Sequence, residues 1–240
     1  MNHTVKEGLK FATRIQKDLP SEGQVEVVLC PPFTSLYSLS VALSEKPTVK
    51  LGAQNCHWEE KGAFTGEIGA AFLKELNCEY VIVGHSERRQ LFHETDKEVC
   101  KKIAAVFANE MTPIFCIGET EDQRDKGKTA EVIERQLGEG LKEVFASSAP
   151  ALVIAYEPVW AIGTGKNATP EQAQEVHEAI RRWFVRHFTA SAAGQMRILY
   201  GGSVKPDNTA VLMKKPDIDG VLVGGASLEV DSFARIVNYT

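Results

Sequence analysis

ALVIAYEPVWAIGTGKNATPEQAQEVHEAIRRWF, residues 151–184, holds a complete strand–loop–helix unit. ALVIAY (151–156) is an apolar run without in/out alternation, the pattern of a parallel strand covered on both faces. One carboxylate, Glu157, stands where the strand should stop, followed by Pro158 and a Gly-punctuated segment. A helix is predicted from about 170 to 188. Thr169 and Gln172 fit a capping box, with Pro170 at the first helical position. Ala173, Val176, Ile180, Trp183 and Phe184 recur at helical spacing as its apolar stripe.

Outward from this unit the same alternation repeats. Apolar runs stand at VEVVLC (25–30), TVKLGA (48–53), YVIVG (80–84), TPIFCI (112–117), RILYG (197–201) and GVLVG (220–224), each followed by a helical pattern. Unbroken strand–helix alternation argues for α/β architecture with a parallel sheet. The chain opens on a helix, capped by Thr4 and Glu7 and striped by Val5, Leu9, Ala12 and Ile15. One helix followed by seven strand–helix pairs predicts a TIM-type (β/α)8 barrel lacking its first β-strand, a single domain over residues 1–240. A doubly wound open sheet is the runner-up, weakened because no G-x-G-x-x-G turn follows the first strand.

Composition narrows the function. Of 240 residues, 43% are hydrophobic and 25% charged, with a net charge of −5 and no sustained basic patch, which argues against nucleic acid. No apolar run approaches the ~18 residues of a membrane span. The N-terminus has no apolar core of a signal peptide. The five cysteines (30, 56, 78, 100, 116) form no C-x-x-C pair and read as reduced thiols of a cytoplasmic protein.

Barrel chemistry sits at the C-terminal ends of strands. There the sequence places Gln54–Asn55, His85, Glu119, Glu157 and two glycine pairs. His85, with a helical SERRQLF behind it, is expected near a positive helix terminus that lowers its pKa and keeps the ring neutral. Glu157 is held at a strand edge with part of its solvation removed, as suits a general base. YGGSV (200–204) and VGGAS (223–227) follow the last two strands and match a backbone phosphate cradle. A phosphate cradle, a carboxylate base and a neutral imidazole suit proton abstraction beside a carbonyl through an enediolate. No redox cofactor or metal is implied: the histidines show no H-x-x-x-H or His/Cys cluster.

GAQN, GAFTGE, VGHSERR, CIGE, AYEPVWAIGTGK, YGGSV and VGGASL occur in the order seen in the triose-phosphate isomerase family, which the chain resembles from residue 1 to near its end. The resemblance implies Glu157 as base and His85 as electrophile. It implies residues 158–168 as a closing lid whose Gly163 N–H meets phosphate, with Ser203, Gly224 and Gly225 as the other backbone contacts. It also implies a phosphorylated triose substrate, glycolysis and gluconeogenesis as its setting, and a homodimer docked through residues 62–67, with Phe64 and Thr65 at the tip. The family's first strand ends in G-N-W-K-M-N, supplying an Asn and a Lys; this sequence begins at the M-N, so both are expected to be missing, leaving Glu87 without a cationic neighbour. The rival readings are an inactive or phosphate-binding protein on the same scaffold, and a different phosphate-binding barrel enzyme.

Overall fold

A computed structural model of the protein describes residues 1–19, 25–44 and 48–239. Its strands are β1 (Val27–Leu29), β2 (Val49–Ala53), β3 (Cys78–Val83), β4 (Thr112–Ile117), β5 (Val153–Tyr156), β6 (Arg197–Tyr200) and β7 (Gly220–Val221). The helices are α1 (Val5–Ile15), α2 (Phe33–Leu43), α3 (Ala70–Glu75), α4 (Ser86–Leu91), α5 (Asp96–Ala108), α6 (Glu121–Asp125), α7 (Thr129–Gly140), α8 (Pro170–His187), α9 (Ala190–Gln195), α10 (Thr209–Met213) and α11 (Val230–Val237). Every strand pairs in parallel with its sequence neighbour, giving one seven-stranded sheet in the order β1 to β7. This is the predicted barrel architecture, one strand short of closure. Both predicted capping boxes form: Thr4 with Glu7, and Thr169 with Gln172.

Alternate residues on each strand face two cores. Tyr80, Ile82, Ile114, Cys116, Val153 and Ala155 gather in one buried cluster. Their strand neighbours Val81, Val83, Phe115, Ile117, Ile154 and Tyr156 pack into the larger cluster with the helices. Both faces are therefore apolar, which is why the runs show no polar alternation. Residues beside the gap between β1 and β7 (Val28, Cys30, Leu199 and Leu222) are only partly buried.

Among the described residues β1 and β7 do not pair with each other. The outer helical ring nevertheless closes across the gap. Phe11 of α1 meets Phe233 of α11 with ring centroids 6.0 Å apart, and Ile15, Val27 and Val237 join their cluster. At the opposite end from the glycine pairs, Glu26 just before β1 takes Lys50 at 2.8 Å, Arg197 at 2.5 Å and the Tyr80 hydroxyl. Burial would raise the Glu26 pKa, but these three partners outweigh it and hold it at about 2. Arg197 belongs to β6, so this contact ties the β1 side to the far flank of the gap. The run expected at 220–224 forms regular strand only over Gly220–Val221. With β6 on one side alone, it has half a ladder; two flanking bonds, Asp219 N–H to the Ile198 carbonyl and Leu222 N–H to the Tyr200 carbonyl, extend the pairing at either end.

Candidate active site

Glu157 leaves the end of β5 with its backbone still tied to the sheet, its N–H donating to the Ile117 carbonyl at 2.7 Å. The residue is 2% exposed. One carboxylate oxygen accepts from the Ser86 N–H at 2.9 Å; the other lies 2.9 Å from His85 Nε2. Two glycines make room for it. A Cβ on Gly201 would stand 2.9 Å from Glu157 Cγ, and one on Gly118 would stand 1.8 Å from its carbonyl oxygen. The Cys116 thiol beneath is held neutral, its pKa pushed well up by burial and by the Glu157 charge.

His85 is the N-cap of α4, and its Nδ1 accepts from the Glu87 N–H at 3.2 Å. An acceptor at Nδ1 places the ring proton on Nε2, where it can donate. The expected lowering of the His85 pKa by the helix terminus is not what the surroundings give. Burial does pull the pKa down, but the hydrogen bond and charge of Glu157, with Glu87 and Glu94 behind, raise it overall. The backbone donor and the carboxylate thus oppose one another at this ring. Glu87 is 72% exposed at its side chain and sits 4.0 Å from His85 Nδ1; among the described residues it pairs with no lysine or arginine.

His85, Glu157, Gly163, Ser203, Gly224 and Gly225 line one cavity of about 1430 Å³. That exceeds the few hundred Å³ up to ~1,000 Å³ of usual small-molecule pockets. The excess arises because the cavity runs down through the sheet interior, beside the gap, to Glu26, Lys50 and Arg197. Gly224 and Gly225 open a 3-10 turn, Gly225–Ser227, where first N–H groups have no internal partner. Nothing lies within 4 Å of the Cβ position of either glycine, so their backbone is open to a ligand.

The segment 158–168 rises from Glu157. Val159 and Trp160 are anchored to Glu119, a 0% exposed acid after β4. Val159 N–H donates to the Glu119 carbonyl at 3.1 Å, and Trp160 Nε1 to its carboxylate at 2.9 Å. Tyr156 Oη and Arg124 complete that carboxylate's partners. Gly163 and Gly165, with φ of 68° and 80°, supply left-handed backbone at the exposed tip. The sequence places Glu119 near a strand end without giving it a role; the signal was available, since it stands two residues past β4 much as Glu157 stands just past β5. Ser86 was missed because its part is played by a backbone N–H; Gly201 was read as part of the YGGSV cradle, and its packing against Glu157 was not foreseen because it depends on an absent side chain. Asn55 is not free for a ligand through its amide oxygen, which accepts from buried Lys102 at 2.8 Å.

A parallel β/α sheet with an acid, an imidazole and open glycine backbone gathered at its strand ends belongs to the β/α-barrel class of enzymes. The family profile described as triosephosphate isomerase matches residues 1–240. The triosephosphate isomerase of Endomicrobium trichonymphae is 51% identical over 240 residues, covering 100% of this chain and 95% of that protein. That of Moorella thermoacetica is 51% identical over 239 residues, covering 100% and 95%, and that of Clostridium perfringens 50% over 239 residues, covering 100% and 96%. The chain belongs to the triosephosphate isomerase family.

Proposed function

We propose that the chain interconverts glyceraldehyde 3-phosphate and dihydroxyacetone phosphate, with Glu157 as the base and His85 as the electrophile. The observation that carries this is the buried Glu157 carboxylate in contact with His85 Nε2 at 2.9 Å, in the cavity that Gly224 and Gly225 also line. A carboxylate base beside a neutral imidazole is a general arrangement for which this family is itself the type example. Glu157 takes the proton from the carbon next to the carbonyl, while His85 Nε2–H donates to the carbonyl oxygen. The hydroxyl proton passes from one enediolate oxygen to the other by way of His85 Nε2, and the neighbouring carbon is reprotonated by the same carboxyl group. Backbone N–H groups of Gly163, Ser203, Gly224 and Gly225 bind the phosphate. Residues 158–168 close over it and exclude water, so that the enediolate is not lost by phosphate elimination.

The exposed loop 62–67 is proposed to dock into a second copy of the chain. It is anchored by a bridge between His57 and Gly69, and Phe64 at its tip stays 43% exposed against the His57 ring. A cytoplasmic setting fits the free thiols of all five cysteines. Among the described residues no helix is long and apolar enough to cross a membrane. Turnover of glyceraldehyde 3-phosphate by the purified chain, abolished in Glu157→Gln, is the direct test. Full turnover in that variant would remove the assignment.

A further inference from the structure

Among the described residues, the exposed tip of the 158–168 segment makes one side-chain ion pair beyond itself: Lys166 Nζ pairs with the carboxylate of Glu121, the first residue of α6. Thr164 Oγ1 bonds only within the segment, to the Trp160 carbonyl and the Lys166 N–H. The base of the segment is gripped differently, by buried Glu119 and by Arg124 stacked 4.5 Å over the Trp160 ring. The stretch 119–125 therefore seats the segment twice, once through a buried hinge and once through an exposed ion pair.

We infer that Glu121 and Lys166 form an electrostatic latch holding the lid open, which makes Glu121 a positioning residue for substrate capture. This rests on the lid assignment proposed above. Topology supplies the direction. The lid follows β5. Glu121 follows β4 on one flank, while Ser203 and Gly224–Gly225 follow β6 and β7 on the other. Closing Gly163 onto a phosphate held by those residues draws the tip away from Glu121, so the pair favours the open state. A ligand that binds the closed form has an apparent affinity scaled by the closed fraction. Exposed ion pairs contribute little, so the latch biases the equilibrium by a factor of about 2–5 and does not lock it.

The test uses the whole chain with sn-glycerol 3-phosphate, a triose-phosphate analogue that has no carbonyl to enolise. Hydrogen exchange across 158–168 with and without it reports closure. Its Kd is measured for the parent, E121Q, K166Q, the double variant, and D122N. The last removes the same charge one residue along, from an acid paired with Lys126 at 2.7 Å. The expected result is a Kd about 2–5-fold lower in E121Q at low salt, no such gain in D122N, and no gain from E121Q in the K166Q background. High salt should shrink the difference between parent and E121Q. Unchanged affinity in E121Q, with the parent lid still gaining protection, overturns the latch and leaves the lid. An equal gain in the K166Q background also overturns it, since the charge alone would then be responsible. No ligand-dependent protection in the parent sinks the lid assignment itself, and the latch with it.

Discussion

Gly201→Ala tests the site through a residue that does no chemistry. A Cβ at Gly201 would stand 2.9 Å from Glu157 Cγ and 3.3 Å from the Tyr156 carbonyl oxygen. Carbon atoms in contact settle near 3.5–4.0 Å, so the Glu157 stem must give way by roughly 0.5–1 Å. It cannot withdraw freely, because its two oxygens are fixed at 2.9 Å from Ser86 N and 2.9 Å from His85 Nε2. A misplacement of ~1 Å in a reacting group costs up to ~10²-fold in rate, about 2.7 kcal/mol of barrier. The expected outcome is a kcat lowered by about 10–100-fold, with a thermal midpoint close to the parent's. Gly194→Ala is the control, since nothing lies within 4 Å of that Cβ position. Initial rates with glyceraldehyde 3-phosphate give kcat and KM, and circular dichroism reports folding. A kcat for G201A equal to the parent's would show that Glu157 is either mobile enough to adjust or not the base.

Glu157→Asp retracts the carboxylate by about one C–C bond and should cost ~10²-fold, mostly in kcat, in the same assay. In Glu157→Gln the His85 pKa should fall, because burial then acts without the opposing charge; ¹⁵N titration of the ring reads it, and an unmoved pKa would contradict the pairing. Glu26 has a depressed pKa of about 2, so its stabilisation is present above the unfolded carboxylate range and disappears as pH falls from about 4.5 toward 2. Glu26→Gln should therefore lose about 1 kcal/mol near neutrality, discounted for solvent screening, and show a flatter acid limb in urea midpoints; an unchanged limb would count against it. An extended segment supplied between β1 and β7, with a lysine facing the cavity, should raise kcat/KM by at least ~10²-fold and improve solubility and dimerisation. Equal activity and sedimentation with and without it would show the gap to be harmless.

The fold was legible because each unit carries its own punctuation. The capping residues at Thr4 and Thr169 and the two-face apolar runs each act locally, and local signals survive in sequence. Strand lengths were less legible: 220–224 has the composition of a full strand, yet pairing on one side alone keeps it to Gly220–Val221. At the site, Glu157, His85 and the glycine pairs stood out by position: an acid at a strand edge beside a proline, an imidazole ahead of a helix, and two glycine pairs after successive strands. The electrostatic state of His85 was not legible. It depends on a carboxylate 72 residues away in the chain arriving at 2.9 Å, and no local pattern encodes that distance.

The contact between Glu157 and His85 bears on how the site works. Both groups proposed to act on substrate hold one another in this state. Glu157 uses one oxygen on the Ser86 N–H and the other on the imidazole. Hydrogen bonds to a charged group are worth about 1.5–3 kcal/mol each, so releasing the acid toward a substrate carbon is costly. That cost is one that the phosphate binding proposed at Gly224 and Gly225, remote from the reacting carbons, would offset. The same release settles the state of His85. While Glu157 is beside it, the carboxylate favours the charged ring, but a proton on Nδ1 would face the Glu87 N–H donor at 3.2 Å. Once Glu157 turns to substrate, the largest influence raising the pKa weakens, while burial and the backbone donor remain. The preference for the charged ring is then weaker, which suits the proposed donation from Nε2 to the carbonyl oxygen.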